Sequence, residues 1–223
     1  NPTEAFLATS ERSFIDSILV EKARKCVIEG NGPIVIGVDP AYKGEFSKDY
    51  TAIINRQGRR AYDLKVYHGY DTMQVTGLIV DRINKINPDK IFVDSVGIGV
   101  GIVDRLRELG YGSLVMPVNS ASKAINDNRY SNKRAEIWGL MKEWLEDVPC
   151  QIPDDDMLHD EICSQGCENP DSKNRLVMQK KSELLKSPDR ADALAFTFAY
   201  PVHRNSDYDR IYTGLSTSVA GLI

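Results

Sequence analysis

Two apolar runs in this chain end on aspartate, and those two residues are the first that could do chemistry. Pro33-Ile34-Val35-Ile36-Gly37-Val38 ends on Asp39, and Lys90-Ile91-Phe92-Val93 ends on Asp94. In open α/β sheets, ligands sit beyond the carboxyl ends of the strands, where the strand order switches. If the two runs are neighbouring parallel strands, their ends lie roughly 5 Å apart. Carboxylates that close repel, and one pKa rises unless a cation sits between them. Hard oxygen donors with an open coordination shell suit Mg²⁺ or Mn²⁺. The plainer alternative is that each aspartate caps the loop after its strand. A third acidic element is Ser187-Pro188-Asp189-Arg190-Ala191-Asp192-Ala193-Leu194. Asp189 and Asp192 are three apart and share one face of a helix. Pro188 suits a first helical turn and Asp189 the positive end of the dipole, so Asp189 has a simple helix-terminal explanation. Asp192 stands among Ala191, Ala193, Ala195 and Phe196, where a carboxylate needs a partner or a metal.

The periodicity supplies elements to carry these residues. After Ser10 and Ser13, Phe14, Ile18, Leu19, Ala23 and Val27 recur at helical spacing, and Gly30-Asn31-Gly32 ends that pattern. The run 33–39 is apolar on both faces, as a strand covered from two sides must be. Segments 50–56 and 61–67 read as a hairpin about Gln57-Gly58-Arg59-Arg60, so the first three strands form an antiparallel meander. Val75, Leu78, Ile79, Ile83 and Ile86 mark a helix ending near Asn87-Pro88. Strand 90–94 follows, then a helix through Ile102, Val103, Leu106 and Leu109 closed by Gly110, then strand 114–118. A polar stretch, 119–132, precedes a helix carrying Ile137, Trp138, Met141, Trp144 and Leu145, and a last helix starts near Pro188. The order βββαβαβ plus helices predicts an α/β fold with a mixed sheet and helices on both faces. The expected organisation is a lead-in over 1–32, one domain over 33–200 and a flexible tail over 201–223.

Composition narrows the classes. With 223 residues, 42% hydrophobic and 27% charged, the chain is an ordinary globular sequence, not collagen-like, mucin-like or wholly disordered. No run approaches the roughly 18 apolar residues of a membrane helix, and the start does not resemble a signal peptide. A cytoplasmic protein with no membrane partner is expected. Cys26, Cys150, Cys163 and Cys167 are too few for a disulfide scaffold. The chain starts on Asn1, so it is expected to be part of a longer polypeptide. Its net charge of -4 excludes a histone-like blanket of positive charge, yet the charge is segregated. Residues 145–171 hold nine acids and no Lys or Arg, whereas 171–190 hold six Lys/Arg against three acids. Lys123, Arg129, Lys133, Lys180 and Arg190 are candidates to face phosphates, contacts that bind without reading sequence. Arg134 and Glu136 are expected to pin their helix to the fold.

Four segments in order resemble a known family, the C-terminal nuclease domain of phage terminase large subunits. They are Gly37-Val38-Asp39-Pro40-Ala41 with Asp49-Tyr50-Thr51-Ala52-Ile53, Phe92-Val93-Asp94 with Gly97-Ile98-Gly99-Val100-Gly101, Asn132-Lys133-Arg134-Ala135-Glu136-Ile137-Trp138, and Lys181 with 187–194. The resemblance spans about 34–200. It implies an RNase H/integrase-like fold and an endonuclease cutting double-stranded DNA during viral genome packaging, in the cytoplasm of a bacterial host. It further implies two divalent cations, Mg²⁺ or Mn²⁺, held by Asp39, Asp94 and an acid of the last helix, with Asp192 first and Asp189 the alternative. Asp49 falls where relatives have an accessory acid, and Lys181 matches a lysine able to contact the scissile phosphate. Implied partners are an ATPase half of the same polypeptide, a portal and a small terminase subunit. No Gly-x-x-x-x-Gly-Lys-Ser/Thr occurs here, so the chain alone is not expected to hydrolyse ATP.

Other signals are weaker. Gly97, Gly99 and Gly101 lack the last spacing of a dinucleotide loop and read better as a flexible or tightly packed loop. His159, Cys163 and Cys167 would form a stripe on one helix but lack the ligand number and spacing of a zinc site. Asp154-Asp155-Asp156 reads as a helix start, and Trp138 and Trp144 as core. A resolvase- or transposase-like nuclease of the same fold is the competing enzyme reading, although a Glu among the acids and more basic helices are expected there. A non-catalytic docking module is the alternative of another class.

Overall fold

The computed structural model describes residues 13–42 and 49–204. Ser10, the first twelve residues of the expected lead-in and residues 205–223 of the expected tail lie outside them. Helix α1 (Ser17–Lys25) is capped by Asp16, whose carboxylate accepts the Ile18 N–H at 2.7 Å. Five strands follow as expected: β1 (Ile34–Asp39), β2 (Thr51–Gln57), β3 (Arg60–Tyr67), β4 (Lys90–Asp94) and β5 (Val115–Val118). Helix α2 (Thr72–Ile86) joins β3 to β4 and α3 (Gly99–Leu106) joins β4 towards β5. After β5 come α4 (Lys133–Glu146), α5 (Asp156–Ser164) and α6 (Asp189–Phe196).

Local signals set the boundaries. Asp71 and Gln74 form a reciprocal capping box on α2, and Asn87 closes that helix in the left-handed region at φ 44°. Asn132 caps α4 by accepting the Ala135 N–H at 2.9 Å. Asp155, the middle of the acidic triplet, caps α5 through the Leu158 N–H at 2.7 Å.

The sheet order is β3-β2-β1-β4-β5. β1 pairs antiparallel with β2 and parallel with β4, and β4 pairs parallel with β5. The switch of direction therefore falls beside β1, the strand ending in Asp39. Register puts Val38 opposite Val93, so Asp39 and Asp94 leave adjacent strands at the same level, about 4.8 Å apart across the sheet. Strand alternation then decides where they point. Ile36, Val38, Ile91 and Val93 pack under α2 and α3. Val35, Ala52, Ile54 and Phe92 pack under α4, α5 and α6. Asp39 is in phase with Val35 and Gly37, and Asp94 with Phe92, so both carboxylates fall on the α6 side. α6 can lie flush on β1 because Gly37 has no side chain, and a β-carbon there would collide with the Ala193 carbonyl oxygen. Among the described residues no helix is long and apolar enough to cross a membrane.

Candidate metal centre

The fold brings Asp39, Asp94, Asp189 and Asp192 to one place, and all four are buried. Asp39 and Asp94 come from the carboxyl edge of β1 and β4, Asp189 and Asp192 from the first turn of α6. Asp192 Oδ1 accepts the Trp138 indole N–H at 2.7 Å, with the Arg134 guanidinium 3.9 Å away. Its other oxygen, Oδ2, lies 2.6 Å from the Lys181 ammonium in ion-pair contact. The same ammonium is 3.8 Å from Asp39 Oδ2. Lys181 thus stands between carboxylates of the sheet and of α6, with 40% of its side chain open to solvent.

Burial pushes Asp39 well above the usual carboxylate range; Lys181 pulls it back, and Asp192 and Asp94 push it further up. Burial raises Asp94 to about 6 against the Val96 N–H, which its Oδ1 accepts at 3.1 Å. Asp189 is also raised by burial, against bonds from Ser187 and the Tyr50 N–H, the latter 2.7 Å from its Oδ2. The loop-capping explanation therefore holds in part for Asp94. At Asp39 the Ala41 N–H goes instead to Thr51 Oγ1 at 2.9 Å. Asp189 and Asp192 separate by partner. Both lie in the field of Asp39 and of Lys181, but Asp192 contacts the Lys181 ammonium and acts on Asp94, whereas Asp189 ties down the backbone at Tyr50 and lies beside Asp49.

Among the described residues no group of three or more His, Cys, Asp or Glu side chains stands close enough, as placed, to hold a metal ion. The donor set nevertheless fits a hard divalent cation. Asp39 and Asp192 contact one ammonium with buried Asp94 and Asp189 nearby, and buried carboxylates that outnumber the cations among them call for further positive charge.

The phosphate-facing candidates divide. Lys133 is a correction: it is buried, its ammonium 2.8 Å from Glu136 Oε2 and 4.2 Å from the Tyr200 ring centroid, so it cannot reach DNA. Arg190 is a second correction, because its guanidinium is drawn inward to Glu161 Oε1 at 2.8 Å. Lys123, Arg129 and Lys180 are exposed, the first two paired with Asp127 and Glu143. Arg134 and Glu136 do pin α4. Arg134 donates to Gln179 O and Gln165 Oε1, while Glu136 accepts the Ile125 and Asn126 N–H groups. Within the Gly97–Gly101 turn Gly99 is tightly packed, since a β-carbon there would collide with the Asp94 carbonyl, whereas Gly97 has open space about it at φ 70°. The cysteine stripe is broken, as α5 ends at Ser164 and leaves Cys167 off the helix. Burial pushes the Cys163 thiol up to about 12.

Two contributors are more than the sequence reading made of them. Trp138 is core, as expected, and also orients Asp192. Glu161 had one available signal, an acid between Leu158 and Ile162 on the apolar stripe of α5.

No family model matches this chain, and no curated protein matches it. Solved structures do. The nuclease domain of the large terminase subunit gp2 of bacterial virus Sf6 superposes with a TM-score of 0.72 at 16% identity, covering 85% of this chain and 99% of that one. A variant of that domain with manganese and beta-thujaplicinol gives 0.71 at 15% identity, covering 85% and 99%. The large terminase nuclease of thermophilic phage G20c with bound magnesium gives 0.62 at 14% identity, covering 84% and 97%. The chain carries the RNase H-like fold of these nuclease domains.

Proposed function

We propose that this chain is a metal-dependent endonuclease that hydrolyses phosphodiester bonds of double-stranded DNA, the nuclease part of a terminase large subunit acting in viral genome packaging. The observation that carries this reading is the convergence of buried Asp39, Asp94 and Asp192 at the switch point of a terminase-nuclease fold, with a lysine ammonium among them. The neighbours' bound manganese and magnesium support divalent metal use.

Asp39, Asp94 and Asp192 would hold two divalent cations, Mg²⁺ or Mn²⁺. Asp189 is the alternative third ligand, but its bond to Tyr50 favours a supporting role beside Asp49. When bound, such a pair lowers the pKa of a water and neutralises charge on the attacking and leaving oxygens of an in-line displacement. The chain's own residues do the rest. Trp138 and Arg134 fix Asp192 from behind, so that its second oxygen points to the site. Lys181, half exposed among the carboxylates, offers positive charge to a scissile phosphate oxygen. Lys123, Arg129 and Lys180, all exposed, would meet the flanking backbone in this reading. Residues 33–200 form the nuclease domain in this reading and 1–32 lead to an ATPase half of the same polypeptide. The portal and the small terminase subunit are the partners, in the bacterial cytoplasm.

The test is supercoiled plasmid incubated with the chain in Mg²⁺, Mn²⁺ or EDTA, beside Asp94→Asn. Cutting that needs metal and disappears in the variant is expected. No cutting in Mn²⁺ at high protein concentration would favour a docking module instead.

A further inference from the structure

Helix α6 starts without a cap of its own. Its preceding residue is Pro188, which has no side-chain acceptor, so the first-turn N–H groups need partners from elsewhere. Glu161 of α5 supplies them. Its Oε2 accepts the Arg190 N–H at 2.7 Å and the Ala191 N–H at 3.0 Å, and its Oε1 accepts Arg190 Nη1 at 2.8 Å. The carboxylate is buried, and Asp155 stands 3.7 Å from the Arg190 guanidinium on the other side. Three bonds from one side chain fix both the axial position and the rotation of the first turn of α6. That turn carries Asp189 and Asp192, so its rotation about the helix axis, together with the Trp138 bond to Oδ1, bears on whether Asp192 Oδ2 faces Lys181.

We propose that Glu161 is a positioning residue for the metal centre: it caps α6 from a neighbouring helix and thereby aims Asp192 at Asp39 and Asp94. The metal part of this role rests on the nuclease reading above; the aiming of Asp192 does not. Glu161 touches neither carboxylate. It acts through the backbone of Arg190 and Ala191, the residues between Asp189 and Asp192.

The experiment compares Glu161→Ala, Glu161→Gln and Leu158→Ala in the full chain. Leu158 is equally buried on α5 but bonds nothing on α6, so it controls for loss of helix packing. The first readout needs no metal: the indole N–H signals of Trp138 and Trp144, the two tryptophans of the chain, in a nitrogen–proton correlation spectrum. Trp138 donates to Asp192 and Trp144 to the Gly58 carbonyl. Glu161→Ala is expected to shift the Trp138 signal and speed its solvent exchange about tenfold or more, leaving Trp144 in place. Leu158→Ala is expected to move neither selectively. The second readout is Mn²⁺ affinity by calorimetry. It is expected to fall about 10–100-fold in Glu161→Ala, the range for supports of metal ligands. Glu161→Gln keeps an oxygen for both backbone N–H groups but turns an amide NH₂ towards Arg190 Nη1, so it loses the third bond and is expected to lie between wild type and Glu161→Ala. If Glu161→Ala fails to fold, the Gln variant carries the test: its Trp138 signal is expected to move while that of Trp144 stays, and an unmoved Trp138 signal overturns the positioning role. A Trp138 signal unmoved by Glu161→Ala, or moved equally by Leu158→Ala, overturns the positioning role. A wild-type chain that binds no Mn²⁺ overturns the nuclease reading instead, and leaves the Trp138 comparison to decide whether Glu161 aims Asp192.

Discussion

On the sheet face covered by α2 and α3 the buried cluster is aliphatic, Ile36, Val38, Val75, Ile79, Ile91 and Ile102 among them, with Tyr67, Tyr70 and Tyr111 packed against its edge. Arg82 lies at the border of that face, bonded to Asn55 Oδ1 and the Asp63 carbonyl. The face covered by α4, α5 and α6 is built differently. Its core holds Trp138, Met141 and Phe196, and with them the buried Asp39, Asp94, Lys133, Glu136, Glu161 and Asp192. Buried charges cost stability unless paired, and an excess of buried carboxylate stays partly unpaired without added cations. One face therefore supplies cohesion by apolar burial. The other gives up part of that cohesion to hold a set of oxygen donors in place. Substitutions on the two faces should separate stability from activity.

The sharpest separation is expected at Asp192. Asp192→Asn should reduce plasmid cutting on the order of 10³-fold, some 4 kcal/mol of barrier, while the chain stays folded. Asp189→Asn, which keeps an oxygen for the Tyr50 N–H, should cost only about 10–100-fold, as a support does. Equal losses, or the reverse order, would make Asp189 the ligand.

The opposite face should give the mirror result. Ile79 is fully buried under the sheet, and Ile79→Ala should lower unfolding stability by about 2–5 kcal/mol. Cutting per folded molecule at low temperature should be unchanged. Loss of activity beyond the unfolded fraction would mean that the two faces are coupled.

Next comes pH. Asp94 is raised to about 6 in the folded state against an ordinary value of 3.8, so the folded chain binds a proton that the unfolded chain releases. By linkage its contribution is fully present below about pH 4 and is lost as pH rises towards 6. Metal-free wild type should therefore weaken over that window, with Asp39 and Glu161, also raised, acting in the same direction. Asp94→Asn should remove roughly 2–3 kcal/mol of that fall, and at pH 7.5 the inactive variant should melt higher than metal-free wild type. Denaturant titrations in EDTA at pH 4.5, 6 and 7.5 decide it. A wild type that gains stability across the window would show the carboxylates to be satisfied without metal.

The smallest effect is expected at the surface cations. Lys123→Gln breaks an exposed pair with Asp127 and should change stability by less than about 0.5 kcal/mol. If Lys123 meets a phosphate, the slope of log binding constant against log salt should fall by about one. An unchanged slope removes it from the DNA surface.

The strands, the meander, the parallel neighbours β1 and β4 and most helices were legible in the sequence, because each is written locally. Apolar runs, capping residues and turn glycines fix period and boundary within a few residues of themselves. Asp39, Asp94 and Asp192 were legible for the same reason, two as strand ends and one as an acid among alanines. The inward turn of Lys133 and Arg190 is not legible locally: Lys133 goes to Glu136 three residues on and to the Tyr200 ring, Arg190 to Glu161 29 residues away, and which way a cation turns depends on how the elements around it pack.

What the sequence determined by itself was the set of elements and the positions of the acids along them, since hydrogen-bonding period and side-chain alternation are local rules. Only the tertiary structure decided which acids meet. Gly37 lets α6 lie on β1, Trp138 and Glu161 orient that helix and its Asp192, and Lys181 closes on the carboxylates from another loop. Each of those relations joins segments distant in sequence, and each depends on the angle at which one packed element sits on another.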